Sequence, residues 1–195
     1  MMNSTVKRLI SLIFAGMLLA ALLTACGESP DDKQAKADTE LSESNSLATI
    51  TPDVFAEADL TMVNAFATWC SPCVKEIPEL DQLNKDFADK NVNVIGVVLD
   101  AVDPRTGSAD KKALDAAEQL RAKTGISYSF YAPDYTLFGG IFGSISSVPT
   151  TFFVNNCGEI VGEAYIGARS LEDWTKIVEF EMGRDTVVET REART

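Results

Sequence analysis

The chain has no histidine among its 195 residues. That excludes a Ser-His-Asp or Cys-His catalytic pair, a histidine-ligated metal and a histidine haem ligand. Positive charge is scarce: 17 lysines and arginines stand against 29 acidic residues, for a net charge of −12. Such a surface repels nucleic acid and anionic headgroups, so no nucleic-acid partner is expected. Cysteine is sparse, with Cys26, Cys70, Cys73 and Cys157 as its four occurrences. A structural zinc site takes about four ligands, which leaves little room for one here. A phosphate-cradling loop is also missing, because the Gly-rich apolar run over 138–143 carries no lysine and not the required spacing. Neither a bound cofactor nor a metal is expected.

Long apolar runs are confined to the N-terminus. Lys7 and Arg8 precede an apolar stretch over 9–23, interrupted by Ser11 and Gly16 and too short for a comfortable spanning helix. A basic start, a short apolar core and small residues before a break describe an export signal over 1–25. It ends on Leu23-Thr24-Ala25-Cys26, which resembles the bacterial lipoprotein cleavage box. The resemblance implies cleavage before Cys26 and diacylglycerol on its thiol, with an uncleaved anchor or ordinary secretion as the alternatives. At about 0.8 kcal/mol per buried CH₂, two or three acyl chains hold a soluble domain durably at a bilayer. Losing Lys7 and Arg8 with the signal takes the 17 basic residues to 15 and the net charge from −12 to −14. The membrane link is therefore expected to be lipid and not a basic patch.

Residues 26–48, beginning with the lipidated cysteine, are polar and acidic and read as a flexible tether. A single α/β domain is expected over 49–182, followed by a polar, frayed tail over 183–195. Apolar, branched runs at 60–68 and 92–100 read as buried strands. Between them Ile77, Leu80, Leu83 or Asn84, and Phe87 recur at helical spacing. A second helix spans 108–124 with Gly125 as its stop, and a third strand spans 128–132. Residues 150–155 and 159–166 flank Asn156-Cys157-Gly158, a hairpin signal that makes Cys157 a turn residue. Ser170, with Asp173 as its capping acid, opens a last helix whose Leu171, Trp174, Ile177 and Val178 face inward. This order implies a mixed central sheet with helices on both faces.

Trp69-Cys70-Ser71-Pro72-Cys73 falls where the first strand hands over to a helix. Two thiols two residues apart can close and reopen a small disulfide ring, although half of many zinc sites reads the same way. A helix N-terminus there offers unpaired N–H groups that favour a thiolate on Cys70, read here as the exposed, first-turn cysteine.

These residues, with Pro78 and with Val148-Pro149-Thr150 further on, resemble the thioredoxin superfamily, and most nearly its extracytoplasmic TlpA-like branch. The run over 62–70 is similar to that branch's active-site strand, and the resemblance covers roughly 49–182. It implies a thioredoxin-like fold in which Cys70 attacks a substrate disulfide and Cys73 resolves the mixed disulfide. Pro149 corresponds to the family's cis-proline, Val148 pairs its backbone with the incoming chain, and Trp69, Ser71 and Pro72 complete the substrate groove. Asn64 stands where cytoplasmic thioredoxins keep a buried aspartate, and an amide cannot take the proton of Cys73. Glu76, three residues after Cys73 on the same helix face, is the candidate proton acceptor.

The resemblance also implies the activity. It is that of a thiol–disulfide oxidoreductase, a reductase because Ser71-Pro72 and not histidine separate the cysteines. Expected partners are disulfide-bearing exported proteins and a membrane thiol carrier as electron donor, with the protein a monomer held outside the cytoplasm by its lipid. A thiol oxidase of the same fold, or a surface lipoprotein with a purely structural Cys70–Cys73 disulfide, are the alternatives. A copper carrier of this fold would need Cys-x-x-x-Cys and histidine. A peroxiredoxin would need Thr or Ser where Ala67 stands.

Overall fold

All seven residues of strand β1 (Leu60–Phe66) are buried, so both of its faces look into apolar surroundings. That is the position of a central strand, and a continuous apolar run suits it. On one side β1 pairs in parallel with β2 (Val92–Val98), which pairs in parallel with the short β3 (Ser129–Tyr131). On the other side it pairs antiparallel with β4 (Thr150–Asn155), which pairs antiparallel with β5 (Ile160–Ile166). The sheet order is β3-β2-β1-β4-β5.

The computed structural model describes residues 47–192. The export signal, Cys26 and the tether as far as residue 46 lie outside the described residues. Among those described, no helix is long and apolar enough to cross a membrane.

Helix α1 (Ser71–Asp86) leaves the end of β1 and buries Ile77, Leu80 and Leu83. Helix α2 (Lys111–Thr124) starts later than the spacing predicts, because Asp110 is its cap, accepting from the Ala113 N–H at 3.0 Å. Gly125, at φ +63°, ends it in the left-handed conformation that glycine adopts freely. A single helical turn, α3 (Ile141–Ser144), occupies the Gly-rich apolar run. Helix α4 (Leu171–Glu192) opens on a cap in which Ser170 Oγ accepts from the Asp173 N–H at 3.2 Å and donates to its carboxylate at 2.8 Å. It runs past Met182 to Glu192, where a frayed tail is expected from composition.

Two apolar clusters sandwich the sheet. Met62 and Phe66 of β1 pack with Ile77 and Leu80 of α1, with Trp174 and Val178 of α4, and with both Cys70 and Cys73. Val63 and Ala65 point the other way, towards Ile95, Phe152 and Val154. Helical segments cover both faces, but on this second face they are short. They are a 3-10 turn at Pro52–Glu57, another at Leu137–Gly139, and α3. Phe55, Phe138, Phe142 and Phe152 fill it as a ring cluster with centroids 5.3–6.4 Å apart. Gly96 lies opposite Asn64 in the β1–β2 register because any Cβ there would stand 2.6 Å from the Phe130 ring. The glycine lets Phe130 close over Phe66, the two ring centroids 5.0 Å apart.

Candidate active site

The turn between β1 and α1 is stapled to the segment after β2. Asp100 accepts from the Thr68 N–H at 3.1 Å and from its hydroxyl at 2.6 Å. Cys70 is thereby delivered to the N-cap of α1, where the Cys73 N–H donates to Cys70 Sγ at 3.3 Å. Cys70 and Cys73 form a disulfide with Cα atoms 5.3 Å apart. The expectation of an exposed Cys70 is corrected: it is 4% exposed, and Cys73 1%. In the disulfide its sulfur lies 3.7 Å from the Val148 carbonyl oxygen, and Val148 packs against the same apolar cluster.

The Val148–Pro149 peptide is cis. The Pro149 carbonyl accepts from the Gly167 N–H at 2.8 Å, tying the proline loop to the end of β5. Around the disulfide Trp69 is 74% exposed, and Ser71 and Pro72 are exposed as well. Ile166, at the end of β5 and paired with Thr150, is 66% exposed, an exposure without any sequence signal.

Asn64 is buried and donates from Nδ2 to Thr151 Oγ1 at 3.0 Å, so its amide serves β1–β4 pairing. Glu76 is 3% exposed. Its Oε1 accepts from the Trp174 indole N–H at 2.6 Å and from the Arg169 backbone N–H at 2.7 Å, while Oε2 is buried with no hydrogen-bond partner. One oxygen of Glu76 is therefore bound to α4 and the loop before it, and the other is left open. Burial raises this carboxyl above its ordinary 4.5; the Arg169 and Trp174 bonds pull the other way, and the Glu79 charge adds to the rise.

A carboxyl raised on folding holds its proton more tightly in the native state. Its stabilising contribution is fully present below the unfolded value and is lost as pH rises through the folded one. The stability of the natural protein relative to Glu76→Gln is therefore expected to fall as pH rises above 4.5, the ordinary value from which this carboxyl is raised. Urea midpoints measured across that range check it; parallel curves would refute the raised carboxyl.

Arg169 and Trp174 were not legible as site residues, since Trp174 reads only as core and Arg169 as a residue before a helix. Their bonds to Glu76 span sequence separations of 93 and 98 residues. The Arg169 guanidinium lies over the rings of Tyr165 and Trp174, 5.4 and 5.1 Å from their centroids, and donates to the Gly167 carbonyl at 2.7 Å. Tyr165 donates to Glu181 Oε1 at 2.6 Å, and Glu181 is fully buried. Burial, then the Glu181 bond, pushes the Tyr165 hydroxyl up to about 12. Tyr128, buried near Asp81 and Glu76, is raised above the ordinary tyrosine range, chiefly by desolvation. Cys157 is an exposed free thiol in the β4–β5 turn, where Asn155 Oδ1 accepts from the Cys157 and Glu159 N–H groups at 3.1 and 2.9 Å.

A disulfide at the strand-to-helix turn, faced by a cis-proline loop, sits on a five-stranded mixed sheet. The sequence model of the AhpC/TSA family matches residues 33–162. The chain belongs to that family. It is a TlpA-like member of the thioredoxin superfamily, in agreement with the motif of Cys70 to Cys73 and Pro149. The thiol-disulfide oxidoreductase ResA of Bacillus thuringiensis (strain Al Hakam) is 26% identical over 110 residues. That match covers 56% of this chain and 56% of ResA, so the chain spans about half the length of that curated relative. The thioredoxin-like protein YneN of Bacillus subtilis (strain 168) is 26% identical over 170 residues, covering 82% of this chain and 92% of YneN. Among solved structures, a thiol:disulfide interchange protein of the thioredoxin family from Chlorobium tepidum TLS superposes with a TM-score of 0.52 at 24% identity. It covers 70% of this chain and 96% of that one, and bears on the fold.

Proposed function

We propose that this protein is a thiol–disulfide oxidoreductase that reduces disulfides of exported proteins outside the cytoplasm. The observation that carries this reading is the Cys70–Cys73 disulfide, capped by the Cys73 N–H in the first turn of α1 and lying against the cis Val148–Pro149 loop. In the reduced form, the helix N-terminus and the Cys73 N–H stabilise negative charge on Cys70 Sγ, which makes it the attacking thiolate. Attack on a substrate disulfide forms the Cys70–substrate bond and releases the other substrate sulfur as thiolate. Cys73 gives its proton to Glu76, attacks Cys70 Sγ, and frees the reduced substrate. Val148 offers backbone to the incoming chain, and Trp69, Ser71 and Pro72 its exposed rim. The relatives whose printed names are thiol-disulfide oxidoreductase support the activity.

A structural staple is the weaker reading. Closing a ring from Cys70 to Cys73 restricts the unfolded chain by only about 2 kcal/mol, against about 4.7 for a 100-residue loop. Lipidation of Cys26 would hold the domain at the outer face of the membrane, where a membrane thiol carrier restores the dithiol.

The test is a Cys73→Ala protein produced in its native host. Cys70 is expected to remain in mixed disulfides that mass spectrometry identifies, and absence of any adduct overturns the reading.

A further inference from the structure

Two buried carboxylate oxygens on α1 have no hydrogen-bond partner: Oε2 of Glu76 and Oε2 of Glu79. Their residues stand three apart, hence on one face of the helix. Both line one groove of about 440 Å³ between the first turns of α1 and the loop entering α4. Buried polar atoms are nearly always satisfied, so two orphans three residues apart on one helix and lining one groove call for a common explanation. On Glu76 the other oxygen already accepts two N–H bonds, from Trp174 and Arg169, so a proton on this carboxyl belongs on Oε2. A proton there needs an acceptor, and a carboxylate is the strongest neutral-pH acceptor available.

We propose that Glu76 and Glu79 share one proton through their Oε2 atoms, and that Glu79 passes to the solvent groove the proton Glu76 takes from Cys73. This rests on the disulfide-reductase reading for its chemistry. In the resolving step Cys73 loses its proton to Glu76, and its sulfur bonds to Cys70 Sγ. The Cys70–substrate bond breaks, its electron pair leaving on the substrate sulfur. The protein dithiol is oxidised by two electrons and the substrate disulfide reduced by two. The proton moves from Glu76 to Glu79 and then to water, while the departing thiolate is protonated by solvent. Glu79 never touches a sulfur; it is a positioning residue for the proton.

The charged and titratable groups around Glu76 come from every neighbouring element. Lys75 and Glu79 stand on α1, Arg169 on the loop after β5, Asp173 on α4, and Tyr128 ahead of β3. The lysine and arginine keep the groove from being uniformly acidic.

The experiment is a pH titration of the Glu76 carboxyl carbon by NMR, on the oxidised full-length protein with ¹³C-labelled glutamate. In the natural protein Glu76 is expected to titrate in two steps, the mark of a proton divided between two sites. Glu79→Gln keeps the shape but offers only a neutral acceptor and no charge. Glu76 should then titrate in one step, lower by at least about half a pH unit. Asp173→Asn removes one negative charge from the same groove and should move Glu76 by less than half of that. An unmoved Glu76 in Glu79→Gln, or an equal shift in Asp173→Asn, overturns the shared proton. The titration needs no substrate, so a protein that reduced no disulfide would fail the activity reading while still deciding this one.

Discussion

A Cys70→Ser protein is expected to reduce insulin disulfides no faster than buffer, a loss on the order of 10³-fold or more. The reason lies in the nucleophile and not in packing. Serine is nearly the same size as cysteine, and Cys70 sits at the helix N-cap, a position serine fills well. The local backbone should therefore survive, and circular dichroism should show an unchanged fold. What disappears is the sulfur: a hydroxyl at neutral pH is almost wholly protonated and does not exchange with disulfides. Residual turnover near that of the natural protein would mean that Cys73 or Cys157 does the chemistry. It would remove Cys70 from its assigned role.

The second large effect is on stability. Trp174→Ala is expected to lower unfolding free energy by about 3–5 kcal/mol, at the upper end of core truncations. Trp174 is fully buried, packs edge-on to Tyr165 with ring centroids 6.1 Å apart, and lies under the Arg169 guanidinium. Truncation leaves a cavity at the α4 contact and also removes the N–H that holds Glu76 Oε1. Trp174→Phe separates the two causes. It keeps most of the ring, so it should cost less, yet it removes the N–H that pulls the Glu76 carboxyl down. Glu76 should then titrate higher in Trp174→Phe than in the natural protein. Urea unfolding of both variants, together with the Glu76 titration, checks the pair. A Trp174→Phe protein with an unmoved Glu76 would show that the indole bond does not govern that carboxyl.

Much of the sheet is legible from local pattern. The buried runs of β1 and β2, the hairpin around Asn156-Cys157-Gly158 and the Ser170–Asp173 cap all follow from burial period and turn chemistry over a few residues. Boundaries slipped where a capping side chain won over hydrophobic spacing, as at Asp110. The second face was less legible. A 3-10 turn with Phe55 and a short turn with Phe142 carry no long period to detect, and they are buried only because the sheet meets them.

The sequence by itself determined the reactive pair and its setting: two cysteines two residues apart, a strand ending before them, a helix beginning at them, and a proline far along the chain that the resemblance matched to the opposing loop. Those are local or motif properties, and short spacing is enough to carry them. Tertiary structure alone decided that Cys70 is buried under the Val148 loop and that Asp100 staples its turn. It also decided that Glu76 gives one oxygen to Arg169 and Trp174 and leaves the other buried without a hydrogen-bond partner. Each of these joins residues tens of positions apart or sets which atoms water can reach. No local pattern encodes such a contact, because it exists only once the sheet has brought distant segments together.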